Sequence, residues 1–188
     1  MKPKELLSVL SVAGSLKSVT RHCDLSDDRK ESVAEHSWRL ALLALLLEDE
    51  FSDTDINKVI RMCLIHDLGE AFTGDIATFK KTGADSLREK ELYLNWVNGF
   101  PEYQRHEFLS LINEMEEMKT KEAKLYKALD KLEAVIQHNE SDIKTWLPLE
   151  YDLQLTYGSE EVKFSSYLTE LKEVIDRWTI EKIENESK

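Results

Sequence analysis

The sequence predicts an all-α fold in one domain, on three observations. Apolar residues recur at three- and four-residue spacings along most of the chain, the period of a helix buried on one face. Only six glycines and three prolines occur in 188 residues, too few for the many tight turns of an all-β fold. No stretch reads clearly as a strand. A chain of 188 residues can bury one real hydrophobic core and is marginal for two.

The elements follow in order. A first helix covers about residues 4–13, and residues 14–31 are polar and irregular, with the charged stretch SDDRKE. Ser32 and Glu35 have the spacing of a capping box, so a helix starts near Val33 and runs to about Glu50. Its segment LALLALLL is apolar almost all round, which marks a helix buried on several sides and central to the fold. Asp53 or Thr54 caps a helix over about 55–70, whose apolar face is Ile56, Val59, Ile60, Cys63 and Leu64. Gly69 and Gly74 mark its end and the turn that follows. KKTGAD at 80–85 is a loop, a helix covers about 85–98, and Pro101 suits the first turn of a helix over about 101–118. A long helix over about 120–140 carries the stripe Leu125, Leu129, Leu132 and Ile136. Residues 141–160 are mixed, and a last helix covers about 161–182. Its Leu168, Leu171, Ile175 and Trp178 suit either a core or a dimer surface.

Composition excludes several function classes. A formal net charge of −12 disfavours binding to nucleic acid, which needs a basic surface. The same field means that a phosphate-bearing substrate needs a local positive centre, a metal or a well-placed Arg. The longest unbroken apolar run, 40–47, is far too short to span a membrane. The N-terminal apolar stretch is broken by Glu5, Ser8 and Ser11, against a signal peptide. Cys23 and Cys63 show no CxxC spacing and no disulfide framework, so a reducing cytoplasm is expected.

Four places in the chain carry ionisable residues that could meet. His36 shares a helix face with Leu40, Leu43 and Leu47 and so points inward. His66 and Asp67 are adjacent at the end of the next helix, and Glu70 shares their side if that turn continues. Asp130 lies beside the apolar stripe of the long helix. Two imidazoles and two carboxylates make a mixed N/O site that suits a divalent transition metal with positions open to water and substrate. Each residue also has an ordinary reading. His36 can be a hydrogen-bonded core residue and Asp67 a turn cap. Glu70 can pair with Lys or Arg on a solvated face, and Asp130 with Lys127 or Lys131.

The motifs VAEHS, then IHDLGEAFTGDI thirty residues on, then an Asp in a long downstream helix resemble those of the HD-domain metal-dependent phosphohydrolases. Within that superfamily the chain is most similar to the 5′-deoxynucleotidase subgroup, over about residues 5–140. ESVAEHS together with HDxxExxxGDI is far more specific than an HD dipeptide. The resemblance implies a single HD-domain helical bundle over 1–188 around a buried divalent metal, such as Co²⁺ or Mn²⁺. It implies His36, His66, Asp67 and Asp130 as ligands. It makes Glu70 the residue that orients or deprotonates the attacking water. It sets Asp75 beside the substrate as general acid or sugar contact, and Arg21 in SVTRHCD on the phosphate. Bacterial members often carry Trp directly after that Arg, so here His22 takes the place beside the substrate. Lys80 and Lys81 follow the GDI motif, where Pro is frequent in the family, and read as phosphate-side charge or as a solvated loop. The implied reaction is hydrolysis of (deoxy)ribonucleoside 5′-monophosphates to nucleoside and phosphate, in a homodimer. Two rivals share the site: a phosphodiesterase or triphosphohydrolase acting on another nucleotide, and a non-catalytic nucleotide-sensing module. A purely structural helical protein is the third.

Overall fold

The computed structural model describes residues 1–26 and 29–186, and the stretch SDDRKE lies partly outside them. The elements are α1 (Pro3–Gly14), β1 (Thr20–Asp24), β2 (Lys30–Ser32), α2 (Val33–Leu46), α3 (Ile56–Ile65), α4 (Glu70–Thr73), α5 (Gly83–Asn98), α6 (Glu102–Glu117), α7 (Lys121–Glu140), α8 (Glu150–Thr156) and α9 (Ser166–Glu186). Single 3₁₀ turns lie at Ser15–Lys17 and Ile143–Thr145. The fold is helical, as expected. The departure is β1–β2, a small antiparallel pair in the segment the sequence left irregular, with a register shift between Thr20 and Asp24.

The core is built where α2, α3 and α7 meet. Leu40 and Ala44 of α2, Val59, Met62 and Cys63 of α3, and Leu125, Leu129, Leu132 and Val135 of α7 are all fully buried. Each large side chain among them contributes roughly 1.5–3 kcal/mol relative to exposure. The helix α2 differs from its expectation of burial on several sides. It buries one face, while Trp38, Leu42, Leu45 and Leu46 form an outer stripe in solvent. On α9, Leu168 and Ile175 enter the core and Leu171 packs against it, which leaves only Trp178 of that set exposed.

Local signals fix the helix starts near the site. The Ser32 hydroxyl accepts the Glu35 N–H at 3.3 Å, and the Glu35 carboxylate accepts the Ser32 N–H at 2.9 Å. This capping box anchors the turn that carries His36. Asp55, rather than Asp53 or Thr54, caps α3 by accepting the Lys58 N–H at 3.0 Å. No helix among the described residues is long and apolar enough to cross a membrane.

Candidate metal centre

The helix α3 ends at Ile65, one residue before His66. From there the chain runs in tight i→i+3 turns, with the Glu70 N–H on the Asp67 carbonyl at 3.0 Å and the Phe72 N–H on the Gly69 carbonyl at 3.0 Å. Adjacent side chains on an α-helix diverge by about 100°. Leaving the helix is what lets His66 and Asp67 turn to one side. Two contacts hold this turn. The Tyr93 hydroxyl of α5 donates to the Ile65 carbonyl at 2.8 Å, satisfying a helix-end acceptor. Gly69 lies so close to α5 that a Cβ there would sit 2.9 Å from Glu89 Cγ. Gly74 follows with φ 78°, a conformation that favours glycine and re-aims the chain at Asp75.

Four of the expected residues come together. His36 Nε2 lies 3.2 Å from Asp130 Oδ1 and 3.9 Å from Asp67 Oδ2. His66 Nε2 lies 2.9 Å from Asp67 Oδ2 and 3.7 Å from Asp130 Oδ1. The donor atoms of His36, His66 and Asp67 all lie within 4.8 Å of one another. The rings are set by their other nitrogens. His66 Nδ1 donates to the Cys63 carbonyl at 2.8 Å, and a carbonyl can only accept, so in the neutral ring the lone pair is on Nε2. His36 Nδ1 donates to Glu133 Oε2 through a short contact, which turns its Nε2 to the same point. This backing of a ligand imidazole by a carboxylate or carbonyl is the arrangement that metal sites use.

The charges and the unpartnered atoms fit a cation. Among the described residues Glu70 Oε2 is buried without a hydrogen-bond partner, and the buried His66 Nε2 faces only the carboxylates of Asp67 and Asp130, out of good hydrogen-bond alignment. Burial pulls the His66 imidazolium down, but Asp67 and Asp130 outweigh it and hold its pKa up to about 10. Burial pushes the Asp67 carboxyl up, and the two imidazoles outweigh that, leaving it at about 2. Asp130 is likewise held well below the usual carboxylate range, against burial, by Lys127 and both imidazoles. Glu70 goes the other way, to about 9, because it is buried and faces Asp67, Asp75 and Glu89. Burial and Asp67 also raise Asp75, against Arg21, Lys81 and His36. Such a concentration of carboxylates beside two imidazole lone pairs is relieved by a divalent cation.

The remaining residues border this cluster. Arg21 is bound to Glu31 at 2.7 Å and to Glu133 at 3.5 Å, both through Nη1. Its guanidinium already supplies positive charge to the second group of possible ligands, Glu31, His36 and Glu133. Arg21, His22 and Asp75 line one pocket. The register shift in β1 accounts for adjacent residues 21 and 22 opening onto the same space, since regular strand neighbours face opposite ways. Among the described residues Glu70 makes no pair with Lys or Arg; the nearby Lys81 pairs with Glu89 at 2.7 Å, and Lys80 is exposed. The ordinary pairing of Asp130 with Lys127 does exist, at 2.7 Å through Oδ2.

Sequence reasoning missed Glu133, the buried centre of this network. It accepts from His36 Nδ1, from Arg39 Nε at 2.7 Å, and pairs with Arg21. Its signal was its place three residues after Asp130, beside the apolar stripe of α7. Glu31, five residues before His36, closes the charged stretch SDDRKE, where one more carboxylate looks solvated.

The chain is similar to known proteins over most of its length. The family model of the HD domain matches residues 13–172. The 5′-deoxynucleotidase HDDC2 of Homo sapiens is 33% identical over 141 residues, 73% of this chain and 68% of that protein. Its Mus musculus counterpart is 33% identical over 164 residues, 85% of this chain and 80% of that protein. Among solved structures, the "predicted metal-dependent phosphohydrolase" from Magnetospirillum magnetotacticum is similar with a TM-score of 0.77 at 28% identity, covering 94% of each chain.

Proposed function

The chain belongs to the HD domain family and is a metal-dependent phosphohydrolase, and within that class we propose that it hydrolyses (deoxy)ribonucleoside 5′-monophosphates to nucleoside and phosphate. The observation that carries this reading is the pocket in which Arg21 and Asp75 open beside the His36–His66–Asp67–Asp130 cluster. The relatives named 5′-deoxynucleotidase support the substrate class.

In this reading His36, His66, Asp67 and Asp130 hold the cation. When bound, the cation supplies Lewis-acid charge to a phosphate oxygen and acidifies water. The other roles belong to the chain. The N–H groups of Arg21 beyond Nη1 grip the phosphate, and Glu31 and Glu133 hold the guanidinium in place for it. Glu70 Oε2, without a hydrogen-bond partner among the described residues, is placed to accept the proton of the attacking water; burial and the neighbouring carboxylates raise this carboxyl to about 9, and a divalent charge bound beside it would draw it back to the ionised form that can accept. Asp75, whose carboxyl burial and Asp67 raise, opens onto the same pocket, where it serves the departing 5′-oxygen as general acid or meets a sugar hydroxyl.

Co²⁺ or Mn²⁺ suits the mixed N/O donor set. The two cysteines, free and buried, are compatible with a reducing cytoplasm. A homodimer would use the outer stripe of α2, Trp38, Leu42, Leu45 and Leu46, because the apolar residues of α9 are mostly spent in the core. A Trp38→Glu variant with the wild-type mass by light scattering refutes that surface. Phosphate release from nucleoside mono-, di- and triphosphates and cyclic nucleotides, across a divalent metal panel, tests the reaction. The expected result is release from the monophosphates; release from only the others overturns it.

A further inference from the structure

The helix α7, which holds Asp130 in the cluster, also supplies two residues to the pocket beside it. Asp130, Ala134 and His138 fall at i, i+4 and i+8 on one helix face. At 1.5 Å per residue, His138 lies about 12 Å along the axis from Asp130. A nucleoside 5′-monophosphate with its phosphate at the cation beside Asp130 would therefore extend along this helix face towards His138. Ala134 and His138 both line the pocket into which Arg21 and Asp75 open.

At its far end the pocket wall is built on a buried carboxylate. Glu150, the first residue of α8, is 1% exposed. Its Oε2 accepts the Leu147 N–H at 2.7 Å, and its Oε1 meets Nε2 of His138 at 3.0 Å and Nε2 of His22 at 3.2 Å. Burial would push this carboxyl up, but His138 and the Leu147 N–H outweigh it and keep it ionised. His138 Nδ1 donates to the Ala134 carbonyl at 3.0 Å, so both nitrogens are engaged and the ring is fixed. His22 meets Phe79 edge to face, with centroids 5.4 Å apart. A buried ionised carboxylate is costly unless it is fully partnered. Here its side-chain partners are two rings, from β1 and α7, that both face the pocket.

We propose that Glu150 is a positioning residue for nucleoside recognition: it locks His138 and His22 side by side, ring centroids 6.3 Å apart, as the one wall against which the base rests, with Phe79 beside them, while the small Ala134 leaves room for the sugar. The inference rests on the reading that the substrate is a nucleoside 5′-monophosphate. Discrimination between a nucleotide and a bare sugar phosphate then lies in β1, α7 and α8 rather than at the cation.

The test uses the cation-loaded full chain with two substrates, deoxyadenosine 5′-monophosphate and 2-deoxyribose 5-phosphate. In Glu150→Gln, kcat/KM for the nucleotide falls about tenfold, the scale of one charge-assisted hydrogen bond, and the loss appears in KM. Turnover of the sugar phosphate stays within twofold of wild type. His138→Asn gives the same pattern and carries the test if Glu150→Gln does not fold. Equal losses on both substrates, or an unchanged nucleotide KM in the folded variants, overturns the assignment. If the wild-type protein releases phosphate from neither substrate with any cation, the proposed reaction itself fails, a result distinct from the other two.

Discussion

Glu133→Gln separates a carboxylate that orients a metal ligand from one that merely ties helices together. Glu133 is 1% exposed and meets His36 Nδ1, Arg39 Nε and Arg21 Nη1. Glutamine keeps the size and one acceptor oxygen but loses the charge. The two arginines each retain another carboxylate, Glu31 for Arg21 and Glu140 for Arg39. Among the described residues His36 Nδ1 has no such second partner, so the loss concentrates there. If the amide oxygen stays on Arg39, the amide NH₂ faces His36 Nδ1, and the ring must carry its proton on Nε2, where the metal should bind. Loss of a carboxylate behind a ligand imidazole typically costs about 10–100-fold in metal affinity, or about 1.4–2.7 kcal/mol. Global stability falls by about 1–3 kcal/mol, below the roughly 3–5 kcal/mol of a buried pair broken outright, because the arginines keep partners. Titration calorimetry of Co²⁺ or Mn²⁺ into the metal-free variant measures the first quantity and urea unfolding the second. A folded variant with wild-type cation affinity within twofold would refute the reasoning, even if its stability dropped, because Glu133 would then be a structural tie alone.

The other predictions concern the cluster itself. Asp67→Ala loses both the cation and the activity, and elemental analysis showing full occupancy would remove Asp67 from the ligand set. Glu70→Ala retains the cation and loses at least ~100-fold in kcat, the usual scale for a general base, so wild-type kcat excludes it from proton transfer. The metal-free protein loses stability as pH rises from about 6.5. The His66 pKa rises from 6.5 unfolded to about 10 folded, so its contribution is complete below 6.5 and lost as pH climbs through 10. Glu70, raised from 4.5 unfolded to about 9 folded, acts in the same direction over its own window, lowering stability from about pH 4.5 up to about 9. Asp67, lowered from 3.8 to about 2, contributes above 3.8 and is lost only as pH falls through about 2. A thermal midpoint that is flat between pH 6.5 and 9 in chelator-treated protein contradicts these charge assignments.

What could be read in the sequence was local. The Ser32–Glu35 capping box, the stripe of α7, the inward position of His36 and most of the α3 stripe follow from spacing, and the structure has them; Leu64, expected on the α3 stripe, is exposed, and Met62 and Ile65 are buried instead. What could not be read depends on partners distant in the chain. Nothing in KLEAV reports that Glu133 meets a histidine 97 residues earlier. The strands β1 and β2, five and three residues long, are too short for an alternation to register. LALLALLL looks the same whether its outer leucines face a neighbour or water, and Leu45 and Leu46 face water. Asp130 shows why the ordinary and the functional readings of such residues should not be set against each other. The i,i+3 pairing with Lys127 that the sequence offered as its plain explanation is present, through Oδ2. The other oxygen, Oδ1, lies 3.2 Å from His36 Nε2 and 3.7 Å from His66 Nε2. A carboxylate has two oxygens, and the lysine that occupies one of them also holds the group ionised and aimed. The pairing that seemed to argue against a ligand is therefore part of what equips Asp130 to be one.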